Sequence, residues 1–240
     1  MNITKQKYGV AFAIPAMCSL LVACDDNTTS YRDTSQPVLI DFNSGQHSFS
    51  AIFSDYPQGQ ETFYELDAKY QALPSPFENS NGFRLYGSNR SDDLFMGVYG
   101  KIDNLRPAQS YDVTLTATII SNVPSNCVGI GGAPGESVFI KVASNGVMPQ
   151  NILDDEMYRL DWDIGSQSQN GEHSQVVGDI SNGIDCMEEM RYVEKKMVAE
   201  ASIPVIADDN GDIWLMVGSD SGFEGPSELL IKEITVSFAQ

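Results

Sequence analysis

The chain has 240 residues, with 33 acids against 14 lysines and arginines, and a net charge of −19. A chain this acidic repels phosphate backbones and anionic head groups, which excludes a nucleic-acid partner. Its length suits one domain with a sizeable core.

Residues 1–23 read as an export leader. Lys5 and Lys7 form a positive head, Tyr8 to Ala23 is apolar or small, and the chain turns polar directly after Cys24. The apolar run is shorter than the roughly 20 residues that a spanning helix needs. Leu21 is too large for the −3 position of ordinary cleavage. Leu21-Val22-Ala23-Cys24 instead resembles the bacterial lipobox. The resemblance implies that Cys24 takes a diacylglyceryl group, that the leader is removed and that the new N-terminus is acylated. Several acyl chains, of palmitate type, give stable anchoring where one does not. Asp25 resembles the signal that keeps some enterobacterial lipoproteins in the inner membrane. Both the inner and the outer membrane of a bacterial cell envelope remain open. Loss of Lys5 and Lys7 with the leader takes the mature charge from −19 to −21.

Of the four cysteines, Cys18 leaves with the leader and Cys24 carries lipid. Cys127 and Cys186 remain, and in an oxidising compartment a disulfide is the simplest use for them, two free thiols being the alternative. The bond would close a loop worth roughly 4 kcal/mol in the chain-entropy model.

Residues 24–36 are polar and read as a flexible tether, with the domain spanning 37–240. From Val38 the pattern has period two. Strands are expected at 38–42, 47–53, 110–121, 136–142, 158–162, 190–199, 203–206, 213–217 and 228–238. The clearest is Ser110 to Ser121, where Tyr111, Val113, Leu115, Ala117 and Ile119 alternate with polar residues. At the C-terminus, Leu230, Ile234, Val236 and Phe238 are expected to share a face. Asn210-Gly211 predicts a hairpin between the strands at 203–206 and 213–217. Glu61 to Ala72 has room for one or two helical turns. Leu105 to Tyr111 resembles the corner of sandwich domains, in which the tyrosine hydroxyl returns to the backbone. Many short strands, Gly-rich turns and no βαβ unit predict a single all-β sandwich of jelly-roll type.

Two long connections, 121–135 with Cys127 and 164–189 with Cys186, are candidates for function. A disulfide would pin them together, and Gly218 to Gly225 would join them. Gly129 to Ser137 fails as a phosphate loop, because Glu136 stands where lysine is needed. Asp220-Ser221-Gly222 resembles two protease motifs, but has neither a second copy nor a histidine in the right context. Zinc lacks ligands, since the only histidines are His47 and His173. Calcium is better served. Asp208, Asn210 and Asp212 have the spacing that opens an EF-hand loop, although the glycine register differs and the closing Glu is missing. Trp162 lies on a face with Tyr158 and Leu160 and is a candidate platform for a sugar ring, whereas Trp214 reads as core. Asp220 and Glu224 are further candidate ligand-binding residues.

The segments 121–142, 178–186 and 214–225 are similar to those of a group of exported bacterial proteins, a resemblance that implies no activity. Asp41-Phe42-Asn43-Ser44-Gly45 and Ile231 to Val236 resemble the terminal strands of jelly-roll carbohydrate-binding modules. That resemblance implies a structural calcium between the chain ends, but Lys232 and Glu233 replace the usual Asp pair. The expected function is non-catalytic binding of a glycan, peptide or envelope component. The alternatives are a hydrolase of envelope polymer, with Asp220 or Glu224 as acid/base, and a structural or assembly partner.

Overall fold

The computed structural model describes Met1 and residues 30–239, so the leader and Cys24 lie outside the described residues. In chain order the strands are β1 Val38–Asp41, β2 Ser50–Ser54, β3 Tyr56–Pro57, β4 Asp67–Ala72 and β5 Asn81–Ser88. Then come β6 Leu94–Ile102, β7 Ser110–Ser121, β8 Val138–Asn145, β9 Asn151–Asp154 and β10 Met157–Leu160. The last five are β11 Ser174–Asp179, β12 Val193–Val198, β13 Ile203–Ile206, β14 Ile213–Ser221 and β15 Pro226–Phe238. They form an all-β sandwich. One sheet runs β12–β7–β15–β5–β4, with β13 beside the start of β7 and β1 beside the end of β15. The other runs β11–β8–β14–β6–β2, and β3–β10–β9 make a small third sheet.

Alternation explains the main core. Val113, Leu115, Ala117 and Ile119 of β7 face Val138, Ile140 and Val142 of β8 and Ile213, Leu215 and Val217 of β14 within one buried cluster. In β15 the inward set is Leu229 and Ile231, then Ile234, Val236 and Phe238. The register slips between Ile231 and Glu233. The extra residue, Lys232, resets which face is buried. Leu230 therefore leaves the expected face and packs with Leu73 and Ile120 on the opposite side of the sheet.

One other expectation is corrected and one is met in part. β13 pairs with β7 while β14 pairs with β6 and β8, so Asn210-Gly211 sits in a turn that crosses between sheets, not in a hairpin. Residues 61–65 form one turn, with Tyr64 N donating to Gln60 O, and the chain then becomes the edge strand β4. The corner at Tyr111 is present. Its hydroxyl accepts from Arg106 N at 3.0 Å. Tyr111→Phe is expected to leave that N–H unpaired and to cost about 1 kcal/mol, read as a lower urea midpoint at unchanged slope.

Tyr31 lies under the Arg106 guanidinium, 5.1 Å from ring centroid to Cζ, and Arg32 donates its backbone N to Asn104 O and pairs with Asp103 at 2.8 Å.

The five-stranded sheet is also buried on its outer face. Ile52, Phe95, Ala143 and Met216 pack there against Trp162 and Ile164. Residues 161–173 thus form a roof over that face. Trp214 and Tyr99 lie at its margin, half-buried, with ring centroids 6.1 Å apart, so Trp214 belongs to this outer cluster and not to the main core. Gly218 keeps the covered surface flat. A Cβ there would meet the Phe95 ring at 2.6 Å and the Gly97 backbone at 3.0 Å.

Candidate functional site

The loops expected to converge do so. Cys127 and Cys186 form a disulfide, with their Cα atoms 5.2 Å apart. Ser125 N donates to Ile184 O at 2.7 Å, and Glu224 N donates to Ile130 O at 2.9 Å. Gly129 permits the close approach of Phe223, whose ring carbon would lie 2.5 Å from a Cβ. This cluster exposes Val128 (97%) and Met187 (92%).

A cavity of about 240 Å³ lies under the roof instead, lined by Asp55, Asp93, Arg159, Trp162, Ser166 and Asp220, among others. Two of the three expected ligand-binding residues, Trp162 and Asp220, meet there. Glu224 does not line it and stays with the disulfide loops.

On the floor, Asp220 is one half of a buried ion pair. Gly218 of β14 is opposite Lys141 of β8, so Asp220, two residues on, and Lys141 project from the same outer face as diagonal neighbours. Lys141 is 1% exposed and Asp220 2%, and Lys141 Nζ lies 2.9 Å from Asp220 Oδ2. The ammonium also donates to Ile164 O at 2.8 Å and Gln169 O at 3.2 Å, which uses its three hydrogens. Asp220 Oδ2 accepts from Gln167 N at 2.8 Å. Both charges therefore bind the roof to the sheet. Asp163 closes the roof on itself. Its carboxylate accepts from Gly165 N and Glu172 N, which hold it below the usual carboxylate range, Gly165 contributing most.

Two buried polar atoms in this cavity wall have no hydrogen-bond partner among the described residues: Asp220 Oδ1 and the indole Nε1 of Trp162. Trp162 is 3% exposed. Most buried polar atoms are paired, so two orphans in one cavity need an explanation.

The rim carries three more charges. Asp55 follows β2, Asp93 precedes β6 and Arg159 lies on β10. Arg159 Nη1 is 2.6 Å from Asp55 Oδ1 and 3.8 Å from Asp93 Oδ2. Burial pushes Asp55 up, and the hydrogen bond and charge of Arg159 oppose it. Asp93 is pushed up to about 7, first by burial, then by the charges of Asp55 and Asp220 and a hydrogen bond with Asp220, with Arg159 working the other way. The ordinary value is 3.8, so between 3.8 and about 7 the folded chain holds a proton that the unfolded chain has lost. Asp93 therefore costs stability progressively as pH rises through that window, and fully above it. Asp93→Asn is expected to stabilise the fold by about 1–2 kcal/mol near pH 8, a figure discounted for partial exposure, and to change little below pH 4. Urea melts at the two pH values check this.

The expected calcium residues lie elsewhere. Asp208 Oδ1 accepts from Asn210 N at 2.9 Å and Asp212 N at 2.8 Å, and Asp212 pairs with Lys101 at 2.5 Å. The Asp208 carboxylate thus braces the turn, and that of Asp212 pairs across to β6. Asp41 is opposite Glu233 where β1 meets β15. Among the described residues no group of three or more His, Cys, Asp or Glu side chains is placed to hold a metal. A second, more apolar cavity of about 420 Å³ lies beside Val147, His173 and Ile206. None of the residues lining it carries an orphaned buried atom.

Asp55, Asp93, Lys141 and Arg159 were not singled out from the sequence. A signal existed for one of them, since Lys141 interrupts the apolar run Phe139-Ile140-Lys141-Val142-Ala143.

No family model and no curated protein sequence matches the chain. Among solved structures it is similar to TmCBM61 in complex with β-1,4-galactotriose, at 11% identity and TM-score 0.36, over 83% of this chain and 94% of that one. It is also similar to the family 11 carbohydrate-binding module of the cellulosomal cellulase Lic26A-Cel5E of Clostridium thermocellum, at 8% and 0.39, over 85% and 95%. A third is the K1 cleaved adhesin domain of Lys-gingipain from Porphyromonas gingivalis W83, at 8% and 0.34, over 85% and 99%. These values describe a shared sandwich outline and nothing of what the chain binds.

Proposed function

We propose that this chain is an envelope lipoprotein, anchored through Cys24, whose sandwich is a non-catalytic binding module that holds a glycan in the cavity under the roof. One observation carries the reading. The same cavity wall contains an indole N–H donor and a carboxylate acceptor, both buried and, among the described residues with Asp93 ionised, neither with a protein partner. A sugar hydroxyl accepts and donates at once, so a polyol satisfies both groups when the side chains turn toward it. Asp55, Asp93 and Arg159 at the mouth add further polar contacts in the mixed manner of small-ligand sites.

A glycan array probed with the full-length chain in mild detergent tests this. Binding to a defined glycan class is expected, and Trp162→Phe, which keeps an aromatic ring and removes the N–H, should weaken it about tenfold. Unchanged affinity in that variant would remove the cavity from the reading. Cys24→Ser should release the protein from the membrane fraction, and retention there would end the anchoring claim.

A hydrolase is the second reading. The observation that favours it is Asp93, an acid held near neutrality beside other carboxylates, rather than Asp220, which is fixed by Lys141. Turnover of an envelope polymer that is abolished by Asp93→Asn would establish it over simple binding.

A further inference from the structure

The geometry points to an ammonium group on the ligand, seated between Asp55 and Asp93 at the rim of the cavity and Asp220 below them. This rests on the glycan reading above and narrows it to a sugar bearing a free, charged amine.

The argument is a count of charges and donors. Three carboxylates converge on the cavity: Asp55 after β2, Asp93 before β6 and Asp220 on β14. Among the described residues two cations face them, and both are already committed. Lys141, behind Asp220 on β8, has three acceptors for its three hydrogens. Arg159 on β10 is shared between Asp55 and Asp93. Asp163 is exposed and has its own backbone donors. The cluster is one positive charge short, and Asp220 Oδ1 is one donor short.

A proton on Asp93 supplies both deficits at acid pH. Shared with Asp220, it neutralises one carboxylate and supplies a donor to the pair. It is held loosely enough to leave near pH 7. A ligand ammonium supplies the same charge and up to three N–H donors, so it replaces that proton. Asp93 then releases one H⁺ to solvent as the R–NH3⁺ group docks, and total charge is conserved. A hydroxyl in the same place supplies donors without the charge. A carboxylate or phosphate there adds to the excess negative charge and is rejected. The indole N–H of Trp162 is left for a ring or hydroxyl oxygen of the same sugar.

The test uses three probes that differ at one carbon: methyl glucoside, its 6-amino-6-deoxy analogue, whose aliphatic amine stays charged across the range, and methyl glucuronide. They are titrated into the full-length chain in detergent, with the Trp162 indole N–H resonance as the reporter. The amine should bind about tenfold tighter than the glucoside near pH 7.5, and its affinity should fall by up to about tenfold per pH unit below pH 7. The glucuronide should not bind. In Asp93→Asn, whose amide supplies a donor without needing a proton, amine and glucoside should bind alike and without pH dependence. A remote exposed substitution, Asp209→Asn, should leave the preference for the amine intact. Equal binding of amine and glucoside to the unaltered chain would overturn the ammonium site and leave the glycan reading standing. So would failure of all three probes while the array shows other glycans bound. A preference that survives Asp93→Asn would also overturn it, by placing the attraction in the overall acidity of the chain. An array with no bound glycan would end both.

Discussion

Lys141→Met is expected to destabilise the domain by about 3–5 kcal/mol. The substitution conserves volume within an apolar strand, so the cost comes from Asp220, which stays buried without its counter-charge. It also removes the donor to Ile164 O and Gln169 O, which releases the roof from the sheet. Two measurements check it. Urea unfolding gives the loss, and limited proteolysis should show new cleavage within residues 163–173. Lys141→Met combined with Asp220→Leu should recover most of the stability, because removing both members of a buried pair is often neutral. If the double variant stays as weak as the single, the ion pair is not what holds the roof.

Cys127→Ser with Cys186→Ser is expected to cost about 4 kcal/mol, since the bond closes a separation of 59 residues in the unfolded chain. The native loops keep other ties, including Ser125 N to Ile184 O, Glu224 N to Ile130 O and Gly222 N to Ser137 O. The effect should therefore fall on the unfolded state. The folded variant should keep the amide shifts of the Trp162 cavity while its melting temperature drops. Loss of those shifts would mean that the disulfide shapes the cavity as well as the loops.

Much of the sandwich was legible because half of its strands are buried on one face only. β7 alternates cleanly and its bounds, Ser110–Ser121, match the expectation, as do those of β13. β6 was missed for the opposite reason. Leu94, Met96 and Val98 enter the main core while Phe95 lies under the roof, so the strand is apolar on both faces and period two disappears. The end of β14, past Val217, was lost to a run of Gly, Ser and Asp that reads as a loop; in the fold these small and polar residues face a packed layer and a buried lysine. The bulge at Lys232 could not be read from pattern, because nothing in the run Leu229-Leu230-Ile231 distinguishes the inward pair from the outward residue. The site was only half legible. Trp162 and Asp220 stand out by residue type, but the charges beside them in the cavity come from segments 55, 93 and 159, with Lys141 paired to Asp220 behind the lining, and only tertiary folding brings these together. Tyr111 and the Cys127–Cys186 pair were legible because each carries a local motif or a count.

β12 and β4 end the strand order of the larger sheet, whose borders β13 and β1 complete. β12 carries Glu194, Lys195 and Lys196 in succession, and β4 carries Asp67 and Lys69. An open rim is a template onto which a neighbouring polypeptide can add a strand, and interspersed charges are a standard obstacle to that addition. Copies crowded side by side would have to strip water from these ions before their backbones could join, so lateral polymerisation is opposed along β12 and β4.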